Sequence, residues 1–321
     1  MGKIKTILKN WMLIIAMLLG AAMYLGYKEI TLFHPYGGML LAFVKTVQPV
    51  LLFSMLFLSF CRIKPSDLRL KGWMGWLMLI QGLLFVVPTL VIVLFGGFSG
   101  ALSELRISAE AFTLCMICPT ATACSVLTAK LGGDRAAVMT YTILINLLVA
   151  VLVPLIVPIS YPVGGLDFWS AFWLILVKVF PMLILPCLVA WAVRYLTPKL
   201  HRKLCEYTEL AFYIWAISLT LAILMSVRAI VHSNAGIAVL CGIALASLVS
   251  CAFQFWCGKR IGARYQDRIT AGQSMGQKNT VFAIWMGYTF LDPLTSVAGG
   301  FYSIWHNVFN SWQLYKQRKN S

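Results

Sequence analysis

Cys118-Pro119-Thr120-Ala121-Thr122-Ala123-Cys124-Ser125 and Gly272-Gln273-Ser274-Met275-Gly276-Gln277-Lys278-Asn279-Thr280 are polar, helix-breaking stretches set inside apolar runs. Proline removes a backbone donor and disturbs the preceding turn, while glycine leaves helical geometry readily. Pro119 and Gly276 stand 157 residues apart in a chain of 321, close to half its length. The same interruption thus occurs once in each half of the sequence.

The runs around these stretches define the medium. The chain is 60% hydrophobic and 11% charged, with a mean hydropathy of +0.85. A soluble domain carries about a quarter charged residues, so this chain lacks the charge for a water-facing surface. A bilayer crossing takes roughly 20 apolar residues. Ten crossings are expected, at residues 11–27, 37–60, 73–95, 111–129, 136–159, 168–193, 210–227, 235–256, 269–290 and 295–314. The predicted fold is therefore an all-α polytopic membrane protein, helical because backbone amides in hydrocarbon have only their own helix to bond.

The two interruptions fall in span 4 and span 9, corresponding positions in two five-span halves, 1–160 and 161–321. An odd number of spans per half inverts the second half in the membrane. Inverted repeats with matching broken helices point to the midplane site of a secondary transporter.

Orientation follows from the basic residues in alternate loops. Twenty of them lie in one set, such as Arg62, Lys64, Arg135, Arg194, Lys259 and Arg318; the opposite set holds only Lys28, Arg106 and Arg228. Both termini are expected in the cytoplasm, in a multi-pass inner (cytoplasmic) membrane protein. The net charge of +16 would suggest nucleic acid in a soluble chain. Here it fits anchoring to an anionic leaflet, and no nucleic-acid partner is expected. Lys3, Lys5 and Lys9 before the first apolar run imitate a signal peptide, with Gly20, Ala21 and Ala22 as a weak cleavage site. The ten-span count needs that run as a retained helix.

Trp11, Trp73, Trp76, Trp169, Trp256 and Trp312 lie near span ends and read as interfacial anchors. The nine cysteines fit no zinc spacing; most sit in apolar runs, where a thiol behaves as a small hydrophobe, and no disulfide framework is expected. Lys45, Lys178 and Lys278 fall within spans, and no carboxylate lies near the middle of any span. Intramembrane charge is costly and marks function.

Cys118-Pro119 followed by Thr122-Ala123, and Ser303-Ile304-Trp305-His306-Asn307 after Asp292-Pro293, resemble the bile acid:sodium symporter family. The run around Gln277 is similar to that family's ninth-span motif, glutamate-x-glycine-methionine-glutamine-asparagine. The likeness extends over nearly the whole chain and is strongest over residues 118–146 and 270–310. It implies a panel domain of spans 1, 2, 6 and 7 rocking against a core domain of spans 3–5 and 8–10, with spans 4 and 9 crossing where they unwind. It also implies an organic anion (a bile acid, a sulfonate or a small carboxylate) carried by alternating access and coupled to two sodium ions. Of the implied ion-site residues, Thr142 and Gln277 match. The family's serine-asparagine pair becomes Cys124-Ser125, its span-5 serine Val138, its glutamate Gln273, and the asparagine after its glutamine Lys278. Gln81 stands for the family's span-3 glutamine, at a spacing to Pro88 two residues longer.

Sodium prefers oxygen ligands with negative charge nearby. This chain loses the carboxylate, gains soft Cys124 and adds an ammonium. Two unit charges about 4 Å apart cost roughly 4 kcal/mol at an effective dielectric near 20, about three orders of magnitude in affinity. Lys278 is accordingly expected to act as a tethered cation in a sodium-independent carrier, or in a proton-coupled one if burial lets the lysine give up its proton. The alternatives are a sodium-coupled symporter with a modified ion site, and a Lys278 that merely snorkels into water. No resident cofactor is expected.

Thr120, Thr122, Ser125 and Asn279 are the substrate candidates at the crossing, with Lys45 and Lys178 across the cleft and His306 and Asn307 beyond. The plain reading of the hydroxyls is helix packing, and that of His306 a bond to a backbone carbonyl. Gly272-Gln273-Ser274-Met275-Gly276 also spells the Gly-x-Ser-x-Gly elbow of serine hydrolases, with Asp292 and His306 following in order. That elbow needs a strand before Ser274 and a helix after it, and the sequence carries no alternating strands. A sensor would need a longer loop domain, and the cysteine context fits an arsenite exporter poorly.

Overall fold

A computed structural model describes residues 2–94, 103–161, 165–207, 209–233 and 235–320. Among the described residues the chain is helical and contains no strand, only one isolated two-residue bridge. The helices are α1 (Gly2–Glu29), α2 (Gly37–Phe60), α3 (Gly72–Leu94), α4 (Ser103–Ile117), α5 (Cys124–Lys130), α6 (Arg135–Ser160) and α7 (Phe168–Leu196). They continue as α8 (Pro198–Glu206), α9 (Leu210–His232), α10 (Ile237–Ala263), α11 (Arg268–Gly276), α12 (Thr280–Phe290) and α13 (Val297–Asn320).

Seven of these are long and apolar enough to cross a bilayer: α1, α2, α3, α6, α7, α9 and α10. This is an all-helical membrane protein. The seven coincide with the expected spans 1, 2, 3 and 5 to 8; the expected end of span 3, Phe95, lies outside the described residues. The remaining stretches differ for stated reasons. Residues expected as span 4 form α4 and α5, parted at Pro119, and those expected as span 9 form α11 and α12, parted at Gln277. Neither half reaches membrane length alone. Residues expected as span 10 form α13, whose His306, Asn307 and Asn310 dilute its hydropathy.

Helix starts are set locally. The Asp134 carboxylate accepts the Ala137 amide at 3.1 Å and starts α6. Asp167 accepts the amides of Trp169 and Ser170 at 3.0 and 3.2 Å and starts α7, which satisfies donors with no helical partner. The Ser170 hydroxyl and amide hold the exposed Asp167 carboxyl below its ordinary value. The short α8 was not anticipated; it begins on Pro198 and buries no residue.

α1 lies on α9, and α2 on both α7 and α9; α10 carries α4, α11 and α13; and α7 lies along α6, joining the two groups. The α10–α11 contact rests on Gly258 and Gly262. A Cβ at Gly258 would sit 2.6 Å from the Ala271 carbonyl, and one at Gly262 2.7 Å from that of Asp267. Glycines four apart thus let two backbones touch.

Two expectations need correction. Trp73 is no interfacial anchor: it is fully buried, and its Nε1 donates to Asp267 at 2.9 Å. Lys71 lies 3.7 Å from both Asp134 and Asp267, so one lysine gathers the starts of α3, α6 and α11. Trp11, Trp76, Trp169, Trp256 and Trp312 are all more than half exposed, as anchors would be. Secondly, Gly272 and Gly276 do not supply the unwinding. Both lie within α11, neither has a positive φ, and the break begins only at Gln277. Gly276 is there because the Phe255 ring occupies the place of a Cβ.

Candidate functional site

The two breaks meet. Thr120 and Lys278 form an antiparallel bridge, in which the Ala121 amide donates to the Gln277 carbonyl at 2.9 Å and the Asn279 amide to the Pro119 carbonyl at 2.8 Å. A broken helix leaves donors and acceptors without intrahelical partners, and hydrocarbon offers no replacement. Each break here satisfies the other. Side chains add to the joint: Thr120 Oγ1 donates to the Ser274 carbonyl at 2.6 Å, and Cys118 Sγ to the Asn279 carbonyl at 2.9 Å. Asn279 Oδ1 accepts the Phe282 amide at 3.2 Å and starts α12.

Two further side chains serve the carbonyl end of α4. Gln81 Nε2 donates to the Cys118 carbonyl at 3.1 Å and is itself held by the Tyr141 hydroxyl at 3.2 Å. The longer spacing to Pro88 therefore does not displace it from the crossing. Gln254, missed in the sequence, donates to the Cys115 carbonyl and to Tyr302 Oη, each at 3.2 Å, and Tyr302 donates onward to the Gly276 carbonyl at 2.8 Å. A buried glutamine in an apolar helix was its one available signal.

Lys278 lies at the centre of this joint, 1% exposed. Its Nζ has no hydrogen-bond partner among the described residues. The titratable groups that act on it are the thiols of Cys118, Cys115, Cys124 and Cys251, with no carboxylate among them. Cys115 and Cys118 mark the last turn of α4, and Gly276, two residues before the lysine, ends α11. A helix C-terminus carries about half a negative charge, so two converging ends offer about one unit for a single ammonium. Gln273 Oε1, Ser274 Oγ and Gln277 Oε1 are also buried and unpartnered among the described residues.

The other sequence-derived candidates distribute unevenly. Gln273 is fully buried, its Nε2 donating to Asn310 Oδ1 at 3.1 Å. Cys124 Sγ lies 3.7 Å from Thr128 Oγ1. Ser125 Oγ bonds the Thr122 carbonyl at 3.3 Å, and Thr142 Oγ1 bonds back to Val138 at 2.9 Å; both hydroxyls serve their own chain segment. Asn307 Nδ2 does likewise, to the Ser303 carbonyl at 2.7 Å. His306 is 7% exposed and meets the Tyr302 ring edge-on at 5.8 Å; its Nδ1 makes no bond to a described group. Lys45 is exposed on α2, while Lys178 sits 5.7 Å over the Phe290 ring. The crossing thus unites Thr120, Gln277, Lys278 and Asn279.

Ser274 lies inside α11, with no strand before it among the described residues. The strand–turn–helix setting of a hydrolase elbow is missing there. No protein-family model matches the chain, and no curated protein matches it.

Proposed function

We propose that the chain is a ten-span secondary transporter of a small organic anion, working by alternating access about the α4/α5–α11/α12 crossing, with Lys278 as a built-in cation. In this reading α4 with α5, α11 with α12, and α13 complete the seven long helices to ten, arranged as a five-plus-five inverted repeat. Both termini lie in the cytoplasm of a cell inner membrane. The packing of α1 on α9, and of α2 on α7 and α9, supports treating these four as a panel whose seam with the remainder runs along α7 and α6.

One observation carries the proposal: two breaks from different halves of the chain bond to each other directly, backbone to backbone. A lone helix kink needs no such partner. A pair of half-helices joined edge to edge gives a polar centre in an apolar bundle, where a transporter holds its cargo. The resemblance to the bile acid:sodium symporter family supports the same assignment. Lys278 then supplies from the chain itself what a bound sodium supplies in the family, a positive charge at the carbonyl ends of α4 and α11, and a lysine that gives up its proton there makes the carrier proton-coupled.

A second reading is sodium-coupled symport through a modified ion site. It is favoured by the unpartnered oxygens of Gln273, Ser274 and Gln277, which are hard ligands. A thermal-shift screen of organic anions identifies the cargo, because a ligand stabilises the state it binds. Uptake of that anion into proteoliposomes under a sodium, a proton or no gradient then decides. Uptake indifferent to sodium supports the built-in cation; strict dependence on sodium supports the second reading; no uptake of any bound anion refutes both.

A further inference from the structure

A second polar site lies away from the crossing. Glu110, on α4, is 1% exposed. Arg106 Nε donates to its Oε1 at 2.6 Å, and Thr295 Oγ1 to its Oε2 at 3.1 Å. The Tyr161 hydroxyl lies close to the same carboxylate. Burial, and then the neighbouring Glu110 charge, push the Tyr161 phenol well above its ordinary value, so it remains a donor. Arg106 spends Nε on Glu110 and places its Cζ 5.7 Å from the centroid of the Tyr161 ring; among the described residues neither terminal nitrogen makes a hydrogen bond, and the Asp292 carboxylate acts on the guanidinium from farther off. Arginine presents those nitrogens as a planar fork suited to carboxylate or sulfonate.

The fork opens into a cavity of about 420 Å³ walled by Ile107, Tyr161, Phe290 and Leu291, with Asp292 on its rim. Lys178, on α7, places its ammonium 5.7 Å from the Phe290 ring centroid but is not among the residues that wall the cavity. Asp134 and Tyr161 stand at opposite ends of the 26-residue α6, so this cavity lies at the other end of the bundle from the Lys71–Asp134–Asp267 cluster.

We infer that this cavity is a docking site for an amphipathic organic anion, its carboxylate or sulfonate on the Arg106 fork and its apolar body against Phe290 and Tyr161. Glu110 positions the guanidinium and leaves its outer edge for the ligand. Asp292 opposes the anion and keeps the grip weak enough for release. The site rests on the proposed transport function only for its use, as the first contact before the crossing; its occupancy stands on its own.

Ligand-observed NMR on the full chain in zwitterionic phosphatidylcholine nanodiscs, with naphthalene-2-sulfonate as probe and uncharged naphthalene-2-methanol as control, tests it. Wild type should bind the sulfonate in preference to the alcohol. Arg106→Gln should weaken binding about tenfold or more, the loss of a charged hydrogen bond. The double variant Arg106→Gln/Glu110→Gln, which leaves no unpaired buried charge, should weaken it equally. Asp292→Asn should tighten it about threefold, as for an exposed charge pair. Sulfonate binding unchanged in the double variant, or weakened by Asp292→Asn, overturns the inference. Because no gradient or turnover enters this measurement, a protein that binds here without transporting separates failure of the proposed function from failure of this site. Loss of the site with uptake intact shows the converse.

Discussion

Replacing Gly276 and Gly272 by alanine, one at a time, separates two accounts of the ninth-span glycines. Both lie inside α11, where alanine is favoured over glycine by about 1 kcal/mol. At Gly272 the three atoms nearest the new methyl all belong to Lys259, with Cγ closest at 2.5 Å, so a change of rotamer in this partly exposed lysine must make the room. Gly272→Ala should therefore be neutral or stabilising by up to about 1 kcal/mol. At Gly276 the methyl lands on the Phe255 ring, which is 3% exposed and stacked on Phe309 at 5.5 Å. That ring has nowhere to go. Overpacking of this kind costs about 1–3 kcal/mol, and Gly276, as the last residue of α11, gains less than a full helical increment. The two variants should differ by about 2 kcal/mol, or about 3 °C in thermal midpoint at about 2.1 cal/mol/K per residue in a chain of 321 residues. Thermal unfolding of the purified protein in one detergent reads the difference, and Phe255→Leu added to Gly276→Ala should recover most of the loss. Equal shifts of the same sign in both single variants would refute the packing argument and restore conformational freedom as the reason for these glycines.

Further outcomes follow from the same joints. Thr120→Val removes the bond to the Ser274 carbonyl but not the backbone bridge; it should cost about 1 kcal/mol in the same thermal assay, whereas Thr120→Ser should cost less than half of that. Gln254→Leu strips the Cys115 carbonyl and Tyr302 of a shared donor and should cost about 1–3 kcal/mol. Trp73→Phe keeps the buried ring but loses the Asp267 bond; a loss of about 1.5–3 kcal/mol, as for a bond to a charged group, is expected, and a variant as stable as wild type would leave Trp73 with packing alone.

The sequence makes the crossing legible because its chemistry is conspicuous. Pro119 and the polar run 273–280 stand out within apolar stretches, and they lie about half the chain apart, although the run stays helical as far as Gly276. The long apolar helices are legible for the same reason, since hydropathy over twenty residues is a strong signal. What escapes is whatever depends on who sits opposite. Trp73 has the composition of an anchor, and only the tertiary placement of Asp267 turns it inward. Gly276 looks like a hinge until the Phe255 ring is found against it. Gln254 is one polar residue in an apolar helix, and Glu110, just before an expected span, gives no sign that Arg106, Thr295 and Tyr161 will enclose it. Periodicity reports which face is apolar; it does not report the partner.

In the proposed transporter Lys278 takes the place of a metal ion, and equilibrium binding of radiosodium to the purified protein tests this without knowledge of the cargo. Wild type should show no saturable sodium binding at millimolar concentrations, given a penalty of roughly 4 kcal/mol for a cation about 4 Å from the ammonium. Lys278→Asn, which restores an amide oxygen and removes the charge, should gain binding. Saturable sodium uptake by the wild-type protein, undiminished beside an intact Lys278, would contradict the assignment.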